Sequence, residues 1–176
     1  MPTRRQFLKA GFAAGIVLAG AGWLTWRRGR VPAAGFHWLD ERSATIVAAL
    51  APVILEDALP VAAAARHAAL REVVSAFDRA VAGLTPAVQE EIAQLFSLLG
   101  LSAGRFIVAG VRSPWREATR DEIAAFLRRW RTSRLQSLRA GYQALSQLVL
   151  ASWYGNPASW ERIGYPGPPR LEAPPS

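Results

Sequence analysis

The chain has no cysteine in its 176 residues, only two histidines, and a single lysine, Lys9, close to its start. The missing thiols exclude disulfides, thiolate zinc sites, iron–sulfur clusters and covalently attached c-type haem together. The histidines, His37 and His67, stand 30 positions apart and neither belongs to a Glu-x-x-His or His-x-x-x-His pattern. Two isolated imidazoles make neither a metal centre nor a nucleophile–base pair, and a packing or surface role accounts for both. Without a lysine after Lys9, the short glycine-bearing "GLSAG" lacks the cation and the strand–turn–helix frame of a phosphate loop.

Acidic residues are also scarce at one end. Of 21 basic residues, Arg4, Arg5, Lys9, Arg27, Arg28 and Arg30 fall within the first 35 positions, where there is no acid. The remainder carries 15 basic against 13 acidic side chains. The formal charge of +8 therefore belongs mostly to the N-terminus, and the rest has no electrostatic footprint for nucleic acid.

That N-terminus reads as a leader. "TRRQFLK" (residues 3–9) is followed by 17 uncharged residues, Ala10 to Trp26, with glycines at 11, 15, 20 and 22. As a helix this run would reach roughly 25 Å at about 1.5 Å per residue, short of a hydrocarbon core of about 30 Å. A basic stretch before a moderate apolar run is what an export signal needs. The paired Arg4 and Arg5, with Phe7, Leu8 and Lys9 after them, resemble the twin-arginine motif that exports folded proteins. The plainer alternative is a short anchor whose arginines follow charge-orientation preference. Ala19-Gly20-Ala21 and Val31-Pro32-Ala33 are both imperfect cleavage sites, and "RRGR" precedes the second. Removal of the leader and its retention as an uncleaved anchor both stay open.

From residue 36 the sequence predicts an all-α fold: a compact multi-helix bundle over 36–155, followed by a Pro- and aromatic-rich tail over 156–176. Asp40 caps a first helix carrying Ile46, Val47, Leu50, Val53 and Ile54 at helical intervals, with Pro52 expected to kink or divide it. A second helix places Leu70, Val73, Val74, Phe77 and Val81 on one stripe and stops at Gly83. Thr85 and Pro86 open a third, whose apolar stripe is Val88, Ile92, Leu95, Phe96 and Leu99 and which ends at Gly100. "SAGRFIVAGV" reads as a short helix or a buried strand; helix is preferred because no second strand offers a partner. Thr119 and Glu122 form a capping box before Ile123, Phe126, Leu127 and Trp130. A long final helix follows, with Leu135, Leu138, Tyr142, Leu145, Leu148 and Val149 inward. Six of the twelve prolines lie in the tail, which excludes a continuous helix there.

Catalytic chemistry finds little support. The acidic pairs (Asp40-Glu41, Glu56-Asp57, Glu90-Glu91, Asp121-Glu122) are adjacent residues, which point about 100° apart on a helix and do not converge on one atom. Three of them open helices, where the dipole stabilises negative charge. The basic stretch Arg128 to Arg139 reads as a solvated face or a contact for an acidic partner, rather than a nucleic-acid or membrane face.

Two segments differ from ordinary helix packing. "RSPWREAT" sets Trp115 and Arg116 after a proline, and "SWYGNPASWERIGYPGPP" interleaves Trp153, Tyr154, Trp160, Ile163, Tyr165 and Pro166 with turn residues. Rigid aromatics on a Pro/Gly frame suit an adhesive surface. They suit equally a tail folded back over its own bundle.

With "TRRQFLK", these segments resemble the gluconate 2-dehydrogenase subunit 3 family. Its members are small, twin-arginine-exported (gamma) subunits of membrane-associated, FAD-dependent, GMC-type sugar and alcohol dehydrogenases. The resemblance covers the leader and roughly the last 70 residues. It implies a non-catalytic accessory subunit that binds a separate flavoprotein, assists its maturation and escorts it through the twin-arginine translocase into the periplasm. It implies no cofactor in this chain, FAD in the large subunit, and haem c in a third, multihaem cytochrome c subunit where one joins. The export residues are then Arg4, Arg5, Phe7, Leu8 and Lys9. The candidate partner-binding residues are Trp115, Arg116, Trp153, Tyr154, Trp160, Tyr165 and Pro166. A membrane contact through the N-terminal segment belongs to the same expectation. The post-leader "RRGR" departs from the family's pattern. The alternative is an independent, membrane-anchored periplasmic helical module or a cofactor-binding protein.

Overall fold

Helix α1 (Glu41–Ile54) sits at the centre, touching four others: α2 (Ala63–Ala82), α3 (Pro86–Gly100), α4 (Arg120–Arg131) and α5 (Gln136–Tyr154). The computed structural model describes residues 31–160 and 164–167. The leader, with Arg4, Arg5, Phe7, Leu8 and Lys9, lies outside the described residues, as do Ile163 and the chain from Pro168 onward. A π-helical segment (Gly104–Ala109) joins α3 towards α4, and a 3₁₀ turn (Pro157–Ser159) follows α5. No strand occurs among the described residues, so the all-α expectation holds.

Each helix buries most of the stripe its sequence sets at 3.6-residue spacing; the exceptions are Val88, which borders an open groove, and Leu135, which stands just before its helix, both exposed. Ile46, Val47 and Leu50 of α1 are fully enclosed, as are Phe77 and Val81 of α2 and Val149 of α5. Asp40 accepts the Ser43 N–H at 2.7 Å as N-cap of α1. Thr119 and Glu122 close the reciprocal capping box of α4. Two expectations change. Pro52 does not divide α1, because it falls in the last turn and the helix ends two residues later. Thr85 precedes α3 in extended conformation without a side-chain cap; Gln89 instead reaches back to the Ala82 and Leu84 carbonyls.

The "GRFIVA" segment is helical, as preferred, but wound as a π-helix. Its geometry depends on two glycines. A Cβ at Gly104 would run into the Leu98 carbonyl, and Gly110 ends the segment at φ +61° against the Arg129 guanidinium.

One buried acid organises the approach to α1. Asp78, on the inner side of α2 at 1 % exposure, accepts the backbone N–H groups of His37, Trp38 and Leu39 at 2.7–2.8 Å. Three charge-assisted bonds satisfy a carboxylate that burial alone would strongly disfavour. Trp38 and Leu39 are thereby delivered into the core, where Trp38 meets Phe96 edge-on at 6.1 Å.

Candidate functional site

The aromatic residues proposed from the sequence separate into two populations. Trp115 and Trp153 are core residues, 6 % and 4 % exposed. The expectation that they form an adhesive surface is corrected in favour of self-packing. Trp115 packs edge-on against Phe126 at 6.0 Å, and its indole N–H donates to the Leu99 carbonyl at 2.8 Å. Phe126 in turn meets Trp130 at 4.8 Å, so the 114–116 loop is bonded to α3 and packed on α4. Trp153 continues the buried Leu145–Val149 stripe by four residues on α5.

Tyr154, Trp160, Tyr165 and Pro166 form the other population. Tyr154 and Tyr165 are 39 % and 45 % exposed, Pro166 is exposed and Trp160 is half-buried. The Trp160 indole donates to the Tyr154 carbonyl at 2.7 Å. Tyr165 packs on Trp160 edge-on at 5.3 Å and donates its backbone N–H to the Trp160 carbonyl at 3.0 Å. The tail thus builds a small, partly exposed aromatic knot on the end of α5. Arg116 is exposed at the rim of a hollow between α1 and α2, shared with Phe36, Thr45, His67 and Arg71. His67 and Arg71 contact each other there at 2.8 Å across one helical turn.

The feature that sequence reasoning missed is a groove of about 540 Å³ between α3 and α5. Leu84 and the α3 residues Val88, Ile92 and Leu95 make one wall mostly apolar, with Glu91 among them, and Ala140, Gly141, Ala144 and Ala151 make much of the α5 wall small, beside Gln147 and Leu148. The floor is Trp130, whose ring lies so close beneath Gly141 that a Cβ there would meet it at 2.7 Å. Ala140, Ala144 and Ala151 recur at helical spacing on one face of α5, a pattern visible in the sequence beside the larger residues that fill the core. The small residues of α5 leave the space between the two helices unfilled, a trough open to an incoming apolar surface.

Charge is unevenly distributed over this body. Asp121 and Glu122 stand at the start of α4, and Arg128, Arg129 and Arg131 at its end. This polarity complements the helix dipole at both ends. Glu122 accepts from Thr119 N–H at 3.1 Å, which does most to hold its carboxyl below the usual 4.5. Loss of water acts the other way, and bonds from Ser113 and Arg112 add to the lowering. Among the described residues, the ion pairs are Arg79–Glu72 at 2.8 Å and Arg120–Glu56; neither involves an arginine beyond position 120. Among the same residues, no group of three His, Asp or Glu side chains is placed to hold a metal ion, and no helix is long and apolar enough to cross a membrane.

No family model, no curated protein and no solved structure matches the chain.

Proposed function

We propose that this chain is a non-catalytic accessory subunit that docks a larger FAD-dependent dehydrogenase and escorts it, folded, through the twin-arginine route to the periplasm. The observation that carries this reading is the open, mostly apolar groove between α3 and α5, which Glu91 borders. A trough with one mostly apolar wall and one built largely of small residues fits an amphipathic helix of a partner laid along it. The exposed knot of Tyr154, Trp160 and Tyr165 at the end of α5 offers aromatic anchors of the kind that dominate interfaces. The leader supplies the route, and its resemblance to the twin-arginine motif supplies the reason the cargo travels folded. FAD belongs to the partner in this reading, and a multihaem cytochrome c joins as a third subunit where the assembly passes electrons onward.

The test is co-expression with an FAD-dependent dehydrogenase chain that has no export signal. A one-to-one complex and periplasmic dehydrogenase activity are expected, both lost on omitting this chain. Arg4→Lys with Arg5→Lys keeps the complex and abolishes export. Ala140→Glu, at an exposed groove position, keeps the fold and weakens the complex at least about tenfold by burying an unpaired charge. Periplasmic activity unaffected by the paired arginine substitutions overturns the escort reading.

A further inference from the structure

The escort reading makes no use of the hollow between α1 and α2, which has a volume of about 1020 Å³. Ala44, Thr45, Ala48 and Ala49 line it from α1, and His67, Arg71, Val74 and Ser75 from α2, each set sharing one helical face. The alanines of α1 leave the space above them unfilled. Phe36 and Trp115 add two aromatic rings to the lining. Neither ring sits on a loose segment. Phe36 directly precedes the residues that Asp78 grips, and the Trp115 indole N–H is bonded to the Leu99 carbonyl.

The charge of this lining has one sign. Arg71 and Arg116 belong to it and no acid does. Both arginines are exposed, and neither forms an ion pair among the described residues. The acids of α2 are engaged elsewhere: Asp78 holds the backbone of residues 37–39, and Glu72 pairs with Arg79. Arg71 meets His67 Nδ1 at 2.8 Å; arginine only donates, so the imidazole accepts there and carries its hydrogen on Nε2. The two hydroxyls of the lining are already bonded. Thr45 donates to the Glu41 carbonyl at 2.7 Å, and Ser75 accepts from Arg79 at 2.8 Å. The donors left for a ligand are two guanidinium groups and one imidazole N–H.

We propose that this hollow binds a small organic acid with an apolar body. The body lies on the alanine shelf and against the rings of Phe36 and Trp115. Arg71 and Arg116 take the carboxylate, with His67 Nε2–H as a third donor. An apolar lining with a few polar groups is the make-up of a small-molecule site, and the volume stands at the top of the usual range of roughly 300–1,000 Å³. Guanidinium forks match a carboxylate in shape as well as charge. An inorganic anion would leave the shelf wet, and a neutral apolar molecule would leave the arginines unused. The site needs no dehydrogenase, so it stands apart from the escort reading.

The test uses the full chain and three probes: naphthoate, its neutral analogue naphthamide, and acetate as the head group alone. Because the apolar leader can take up an aromatic probe by itself, the readout is local. With only two histidines in the sequence, nitrogen-15 histidine labelling gives two ring spin systems, and His67→Gln identifies the one belonging to position 67. Naphthoate is expected to shift the His67 ring signals saturably, with naphthamide and acetate each at least about tenfold weaker. Arg71→Gln with Arg116→Gln, both at exposed positions, should raise the naphthoate needed for half-saturation roughly tenfold. Ala48→Trp, which fills the shelf from an exposed position, should abolish the shift. Ala140→Glu, in the other groove, should leave it unchanged, so a failed escort reading and a failed ligand site give different results. No saturable shift at His67 overturns the proposal. So does a shift that appears only when a dehydrogenase chain is added, which would assign the hollow to a protein. Naphthamide binding as tightly as naphthoate, or an unchanged half-saturation in the double arginine variant, overturns the role of the cations. Acetate binding as tightly as naphthoate overturns the role of the shelf.

Discussion

The segment leading into α1 and the segment leaving α5 are alike in sequence, both irregular and aromatic, yet the protein holds them by different means. Residues 37–39 are gripped by a buried carboxylate through three backbone bonds, and Trp38 and Leu39 vanish into the core. The tail is held at Trp160 by one indole-to-carbonyl bond and a half-exposed ring pair. The comparison shows that an aromatic side chain outside a helix becomes core or surface according to whether the body offers a satisfied polar anchor beside it. Asp78 is that anchor at one end, and the Leu99 carbonyl plays the same part for Trp115. The Trp160 indole finds its partner in the last turn of its own helix instead.

Substitutions along this contrast should separate by size. Trp153→Ala, which empties a fully packed position at the edge of the tail, should cost about 3–5 kcal/mol in denaturant unfolding. Asp78→Asn should cost about 1–3 kcal/mol, because the amide can accept from Trp38 and Leu39 but turns a donor group towards the His37 N–H. Hydrogen exchange at residues 37–39 should accelerate in that variant, with α5 unaffected. Trp160→Ala should cost about 1 kcal/mol or less while weakening a dehydrogenase complex, the reverse of what Trp153→Ala does at equal complex occupancy. If Trp160→Ala destabilises as much as Trp153→Ala, the division into core and surface aromatics fails.

The smallest effect concerns α4, whose start ties the 112–113 segment to the bundle through Glu122. The folded carboxyl titrates below 4.5, so its contribution is fully present above that value and is lost as pH falls through the folded one. Stability measured against pH should therefore decline on the acid side of 4.5, and Glu122→Gln should flatten part of that decline. A variant with an unaltered acid limb would show that the capping box is energetically silent.

Much of the helical body was legible because its signals are local. Asp40 and the Thr119–Glu122 box announce helix starts through bonds spanning three residues, and the stripes of α1, α2 and α5 follow from period alone. The groove was half legible: Ala140, Ala144 and Ala151 could be seen as a face, but not that Trp130 would floor it. Asp78 was legible in principle, since it interrupts an apolar stripe between Val74 and Val81, where a charge demands a partner. Its partners lie about 40 residues away in a stretch with no helical period, so no local pattern names them.

The sequence by itself determined the helices, their caps and their buried faces, because each depends on contacts within a turn or two. It also determined where charge accumulates, and it proposed the leader. Only the tertiary structure decided which tryptophans are core, which arginines share the hollow between α1 and α2, and where α3 and α5 stand apart. Those outcomes depend on which carbonyl, carboxylate or ring is brought alongside from a distant part of the chain. Periodicity carries no information about such meetings; packing settles them.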